Sequence, residues 1–204
     1  MTLIASVSGI RGTIGGEINQ NLTPVDVVAF AAAYGSWIKT KHQLATVVVG
    51  RDARISGPMV QALVQQTLVS LGIDVIDVGL STTPTVEMEV VRKQAQGGII
   101  ITASHNPKQW NALKLLNNKG EFISAEDGSE LMQYVNDQSF EFVGVDELGK
   151  ISVVTDALTA HMDAILSLPQ VNVAAIKAAR FSAIVDGVNS SRIKVWLSKI
   201  TTYM

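Results

Sequence analysis

No cysteine occurs anywhere in the 204 residues. Disulfides, thiolate metal sites and thiol nucleophiles are thereby excluded, a usage that fits a cytoplasmic protein. Charge is also thin: 17% of the residues are charged, and 16 scattered Lys and Arg face 18 Asp and Glu for a formal net charge of -2. The basic excess that drives sequence-independent nucleic-acid binding is missing, so nucleic acid is not an expected partner. No apolar run reaches the ~18–20 residues of a membrane span, and the opening MTLIASVSGIRG lacks the basic and long apolar regions of a signal peptide. No membrane association is expected. Neither an internal repeat nor a low-complexity segment is visible. What is present is a 47% hydrophobic composition, enough to bury one full domain and part of another.

The hydrophobic period alternates between strand and helix. A short strand over residues 3–7 leads into a glycine-rich loop, SGIRGTIGG, and a helix follows over 24–39 with Thr23 as N-cap and Pro24 in its first turn. ATVVVG is a β-branched run suited to a strand buried on both faces; the loop RDARISG and the helical PMVQALVQQTLVSLG come after it, with Gly72 ending the helix. DVIDVG, TPTVEMEVVRKQ and GGIIIT continue as strand, helix, strand. LKLLNNKGEFIS reads as two strands joined at NNKG, and Ser124 caps a further helix. This order predicts an α/β fold with a mainly parallel, mixed sheet covered by helices. The polar segment 138–150 marks a boundary, giving a first domain over 1–143 and, over 144–204, a linker and the incomplete start of a second α/β unit. In that second part TDALTAHMDAILSLP and VNVAAIKAAR read as helices and FSAIVDG as a strand.

In open α/β sheets ligands gather where strands end and helix N-termini present their N–H groups. Ser104 follows such a strand end. A lone serine there is an ordinary turn residue, but its neighbours change the reading. His105 can exchange protons near neutral pH, Asn106 can orient an oxyanion, Pro107 stiffens the turn, and Lys114 can return an ammonium from the next strand. Such a ring of donors suits a phosphoserine, which carries about -1.5 to -2 charge. A serine-hydrolase reading is weak, because adjacent Ser and His on extended backbone diverge and no G-x-S-x-G elbow is present. In SGIRGTIGG, Gly9, Gly12, Gly15 and Gly16 allow close backbone approach to an anion and Arg11 offers a fork for phosphate, although the stretch is neither a Walker A loop nor a dinucleotide turn. Arg51, Asp52 and Arg54 read as a local ion-pair network shaping their loop. His42 and His161 read as solvated. Trp37, Trp110 and Trp196 lie too far apart in sequence for a stacking platform, although Trp110 can wall the Ser104 loop or pack against the domain.

Taken together, SGIRG, VVVGRDARISG, and TASHNP with the trailing NALK resemble the α-D-phosphohexomutase family, of the bacterial phosphoglucomutase/phosphomannomutase type, over roughly residues 1–140. VDGVNSS resembles the opening strand of that family's second domain. The resemblance implies that Ser104 is phosphorylated, gives its phosphoryl group to a hexose 1- or 6-phosphate, and takes one back from the bisphosphate after that intermediate has turned around. It implies Mg2+ bridging the Ser104 phosphate and three aspartates, His105 in acid/base help or orientation, Arg11 and Lys114 in electrostatic stabilisation and substrate binding, and Asn106 in shaping the loop and holding substrate. Phosphoglucosamine mutase is the second reading, its members more often carrying D-G-I-R-G. A non-catalytic domain that binds sugar phosphates or a partner chain is the third.

The departures carry expectations of their own. Enzymes of the family have four domains, with a DGDxDR-type metal loop in the second and substrate clamps in the last two; none of these motifs is in this sequence, which closes on RIKVWLSKITTYM. A truncated chain is therefore expected, with little or no activity alone, Mg2+ not tightly held, and self-association through apolar surface that later domains would cover.

Overall fold

The computed structural model describes residues 1–6, 9–182, 184, 186, 190 and 191. Among the described residues, seven strands form one mixed sheet in the order β1-β2-β6-β5-β3-β4-β7. They are β1 Ile4–Ser6, β2 Gly9–Thr13, β3 Thr46–Arg51, β4 Asp74–Leu80, β5 Gly97–Ile101, β6 Trp110–Leu116 and β7 Ile151–Val153. The pairs β5–β3, β3–β4 and β4–β7 are parallel, whereas β6 runs antiparallel to both β5 and β2, and β1 antiparallel to β2. The helices are α1 Pro24–Lys41, α2 Gly57–Ser70, α3 Thr83–Arg92, α4 Ala125–Asp137, α5 Ala157–Leu166 and α6 Val173–Ala179. Thr23 and Ser124 cap α1 and α4 as capping boxes closed by Asp26 and Asp127, each satisfying helix-end N–H groups that would otherwise lack a partner.

Alternation along the strands divides the interior. Ile10, Val47, Val49, Ile99, Ile101, Leu113 and Leu115 join α1, α2 and α4 in the larger core, and Val48, Ile100 and Leu116 join Val86 and Val90 of α3 and Ala157 of α5 in a smaller one. The second face is helix-covered over β3 and β5, against which α3 packs. Arg11 and Lys114, one step out of phase with Ile10 and Leu113, belong to this second face.

Two sequence expectations are corrected. SGIRGTIGG is not an open loop: Gly9–Thr13 is a strand laid between β1 and β6, and Gly9, at φ +119, sits where a Cβ would run into the Leu113 carbonyl. NNKG does not join two strands; β6 begins earlier, at Trp110, and its continuation is reduced to an isolated bridge between Leu116 and Phe122. Beyond residue 143, β7 pairs with β4 at the edge of the same sheet and α5 packs against α3. Of the strand expected over FSAIVDG, residues 183, 185 and 187 lie outside the described residues, as do most of VDGVNSS, Ser8 and Trp196, and Phe181, Ser182, Ile184 and Asp186 are not in a strand.

Candidate functional site

The parallel strands β3, β4 and β5 end at one rim, and the loops that leave them converge there. Ser104 stands just past β5, exposed, with φ +54. That left-handed angle is uncommon for a non-glycine residue and persists only where the surroundings enforce it. Here they do. The Ser104 N–H donates to Thr102 Oγ1 at 3.1 Å, Thr102 Oγ1 donates to Asp52 Oδ2 at 2.6 Å, and the Ser104 carbonyl accepts from Arg54 Nη2 at 2.7 Å. The Asn106 N–H closes the turn on the Ala103 carbonyl at 3.0 Å.

Ser104 and His105 lie between two cavities. One, about 210 Å³, is lined by Arg11, Asn106 and Lys114 together with Ser104 and His105. It exists because β6 runs beside β5 and β2 beside β6, so that the residue alternation of two further strands brings both cations to the same face. The Lys114 ammonium lies 5.7 Å from the Phe122 ring centroid and in the field of Glu87, whose carboxyl is pushed up by burial and drawn back by that ammonium. The other cavity, about 420 Å³, is lined by Asp52, Ser81, Thr82, Thr83, Thr102, Ser190 and Ser191, again with Ser104 and His105. A groove of about 430 Å³ between α4 and β2 is lined without charged side chains and is far less suited to an anionic ligand.

All five residues singled out on sequence, Arg11, Ser104, His105, Asn106 and Lys114, thus line one cavity. Three other expectations change. Arg51, Asp52 and Arg54 do more than shape their own loop, since Arg54 reaches across to the carbonyls of Ser104, Asn106, Pro107 and Trp110. No sequence signal marks that reach, because the acceptors are backbone atoms. His161 is buried, not solvated: its Nδ1 lies 2.9 Å from Thr85 Oγ1, and burial lowers its pKa. Trp37 is a core residue whose indole N–H donates to Glu130 at 2.9 Å.

The residues present do not by themselves fit Mg2+. Among the described residues no group of three or more acidic or histidine side chains is placed to hold a metal. Asp52, the acid lining the Ser104 cavity, has Oδ1 accepting from the Arg54 N–H at 3.0 Å and Oδ2 accepting from Thr102 and from Arg54 Nε. A Ser104 phosphate would add oxygen ligands, but Mg2+ seeks near-octahedral oxygen coordination that this set does not supply.

Residues 3–142 match the family described as phosphoglucomutase/phosphomannomutase, alpha/beta/alpha domain I. A phosphoglucomutase/phosphomannomutase of Thermococcus kodakarensis is 34% identical over 183 residues, which is 88% of this chain and 40% of that protein. A phosphoglucosamine mutase of Natranaerobius thermophilus is 33% identical over 151 residues, 74% of this chain and 33% of that protein. Among solved structures, a phosphoglucomutase/phosphomannomutase family protein from Burkholderia thailandensis superposes with a TM-score of 0.62 at 26% identity, covering 77% of this chain and 35% of that one. The chain spans about a third to two fifths of the length of these relatives.

Proposed function

This chain belongs to the phosphoglucomutase/phosphomannomutase family, and from that premise we propose that it carries the phosphoryl-accepting part of a hexose-phosphate mutase, with Ser104 as the residue that is phosphorylated. The observation that supports this best is the exposed Ser104 hydroxyl on an enforced left-handed backbone, at the mouth of a cavity it shares with Arg11 and Lys114. A phosphoserine there would bring about two negative charges to a place where two cations are already anchored on strands.

In the proposed transfer, a sugar hydroxyl oxygen bonds to phosphorus as the bond from phosphorus to Ser104 Oγ breaks. The electron pair leaves with Oγ, the hydroxyl gives up its proton, and the serine regains one. Return of a phosphoryl group from the bisphosphate is the same exchange reversed. His105, which lines both cavities, would take part in moving that proton or in orienting the reacting groups. Arg11 and Lys114 would offset charge on the transferring group, and Asn106 would shape the cavity beside it. The substrate class is hexose phosphates, and relatives named for glucose, mannose and glucosamine phosphates all fall within it. Little or no turnover by this chain alone, a cytoplasmic location, and self-association through apolar surface such as exposed Val145, Leu148 and Val153 belong to the same reading.

Incubation with glucose 1,6-bisphosphate followed by intact-mass measurement tests it. The expected result is a gain of one phosphoryl group that is lost in Ser104→Ala. Reversible binding without any mass gain would favour a non-catalytic sugar-phosphate module instead.

A further inference from the structure

The structure assigns Arg54 a positioning role: its guanidinium is the clasp that holds the Ser104 loop in its working conformation, and it is not a phosphate ligand. The inference rests on the reading of Ser104 as a phosphoryl acceptor and goes beyond it.

An arginine has five side-chain N–H donors. In this protein each has an acceptor. Nε donates to Asp52 Oδ2 at 3.1 Å, Nη1 to the carbonyls of Pro107 at 2.9 Å and Trp110 at 3.1 Å, and Nη2 to those of Ser104 at 2.7 Å and Asn106 at 2.8 Å. The side chain is 11% exposed, and the bonds to Asp52, Trp110 and Asn106 are partly buried. Four carbonyls from a seven-residue stretch converge on one planar cation, which a flexible loop does not do without a donor fixed at their centre.

The anchor is fixed in turn. Asp52 grips both the backbone N–H and Nε of Arg54, and it accepts from Thr102, whose hydroxyl receives the Ser104 N–H. The N–H and the C=O of Ser104 are therefore both tied, directly or through one intermediary, to the loop that follows β3. Those two ties define the peptide planes on either side of the Ser104 Cα, which is how an unfavourable φ of +54 is maintained. Because every donor of Arg54 is spent, a phosphate could recruit this cation only by releasing the loop that presents the serine. Arg11, on β2 with its side chain exposed in the cavity, is the arginine available to an anion. Lysine cannot replace Arg54: its three donors radiate from a single point and cannot serve five acceptors spread around a plane.

The test uses Arg54→Ala and Arg54→Lys in the full chain, with two readouts. The first is the rate of phosphoryl gain at Ser104 from glucose 1,6-bisphosphate as a function of bisphosphate concentration. Mispositioning a reacting group costs on the order of 100-fold in rate, so the maximal rate should fall by roughly that factor in both variants, without rescue by lysine, while the half-saturating concentration stays within about twofold. The second, independent of activity, is the set of backbone NMR shifts of residues 102–110, where Ser104 should lose its left-handed signature while signals from α1 and α2 hold. An unchanged maximal rate with a raised half-saturating concentration would make Arg54 a phosphate ligand and overturn the proposal, as would wild-type Ser104 shifts in both variants. If the unaltered chain gains no phosphoryl group, the acceptor reading fails while the NMR comparison still decides the clasp. Should Arg54→Ala fail to fold, Arg54→Lys, which keeps the aliphatic stem, carries both readouts.

Discussion

His161 shows how a single side chain can link a distant helix to the rim. Its Nδ1 meets Thr85 Oγ1 at 2.9 Å, Thr85 Oγ1 lies 2.8 Å from Thr82 Oγ1, and Thr82 both caps α3 and lines the cavity beside Ser104. Burial lowers the imidazole pKa below its ordinary value of about 6.5. The unfolded chain therefore takes up the proton first as pH falls. Stability contributed by the neutral ring is complete above about pH 6.5 and is lost as pH drops toward the lowered folded value. Thermal melts between about pH 7.5 and pH 5.5 should show Tm falling, with a visibly flatter profile in His161→Gln; parallel profiles would contradict this. On sequence the same histidine reads as solvated, because burial is decided by which face of α5 meets α3, a contact between elements about 75 residues apart.

At the scale of elements, α1 is tied to the sheet by one buried hydroxyl. Tyr34 Oη donates to the Leu116 carbonyl at 2.6 Å, with the Gly98 carbonyl at 3.2 Å, and burial raises the phenol pKa so that the proton stays in place. Tyr34→Phe removes the donor and leaves a buried carbonyl short of a partner, at a cost of about 1–3 kcal/mol. For a domain of this size Tm should fall by about 2–4 °C for each kcal/mol, measurable by circular dichroism; an unchanged Tm would show that the bond contributes nothing. α1, with its cap and its apolar run, is legible in sequence, and so are α2, α3, β3 and β5, because periodicity and capping chemistry are local. The strand β2 is not legible in the same way. Gly9 and Gly12 lie where a Cβ would press on Leu113 and Leu22, so glycine is demanded by neighbours remote in sequence, while its local signature is that of a loop. The candidate site divides likewise: Ser104, His105 and Lys114 stand out by residue type, whereas the carbonyls gripped by Arg54 carry no mark at all.

For the molecule as a whole, the sheet extends past the residues matched by the family. β7 pairs with β4, Lys150 O accepts from the Val75 N–H at 2.8 Å, and α5 is held to α3 by Arg92, whose guanidinium bridges Glu89 and Asp156. Ending the chain at residue 143 would strip β4 of its outer neighbour β7 and remove buried Leu158 and Met162. At about 1.5–3 kcal/mol for each large apolar side chain, the loss is about 3–6 kcal/mol relative to a chain ended at 180. Urea titrations of the two fragments should differ by that amount, and equal midpoints would support a domain boundary at 143. The order of the strands has a temporal consequence as well. β2 has β6 as its inner neighbour, with Arg11 opposite Ala112, although about a hundred residues lie between the two strands. On a translating ribosome at roughly 5–20 residues per second, the N-terminal hairpin waits several seconds for the strand that receives it. Arg11 is therefore brought beside Ser104 only after everything between them has been synthesised.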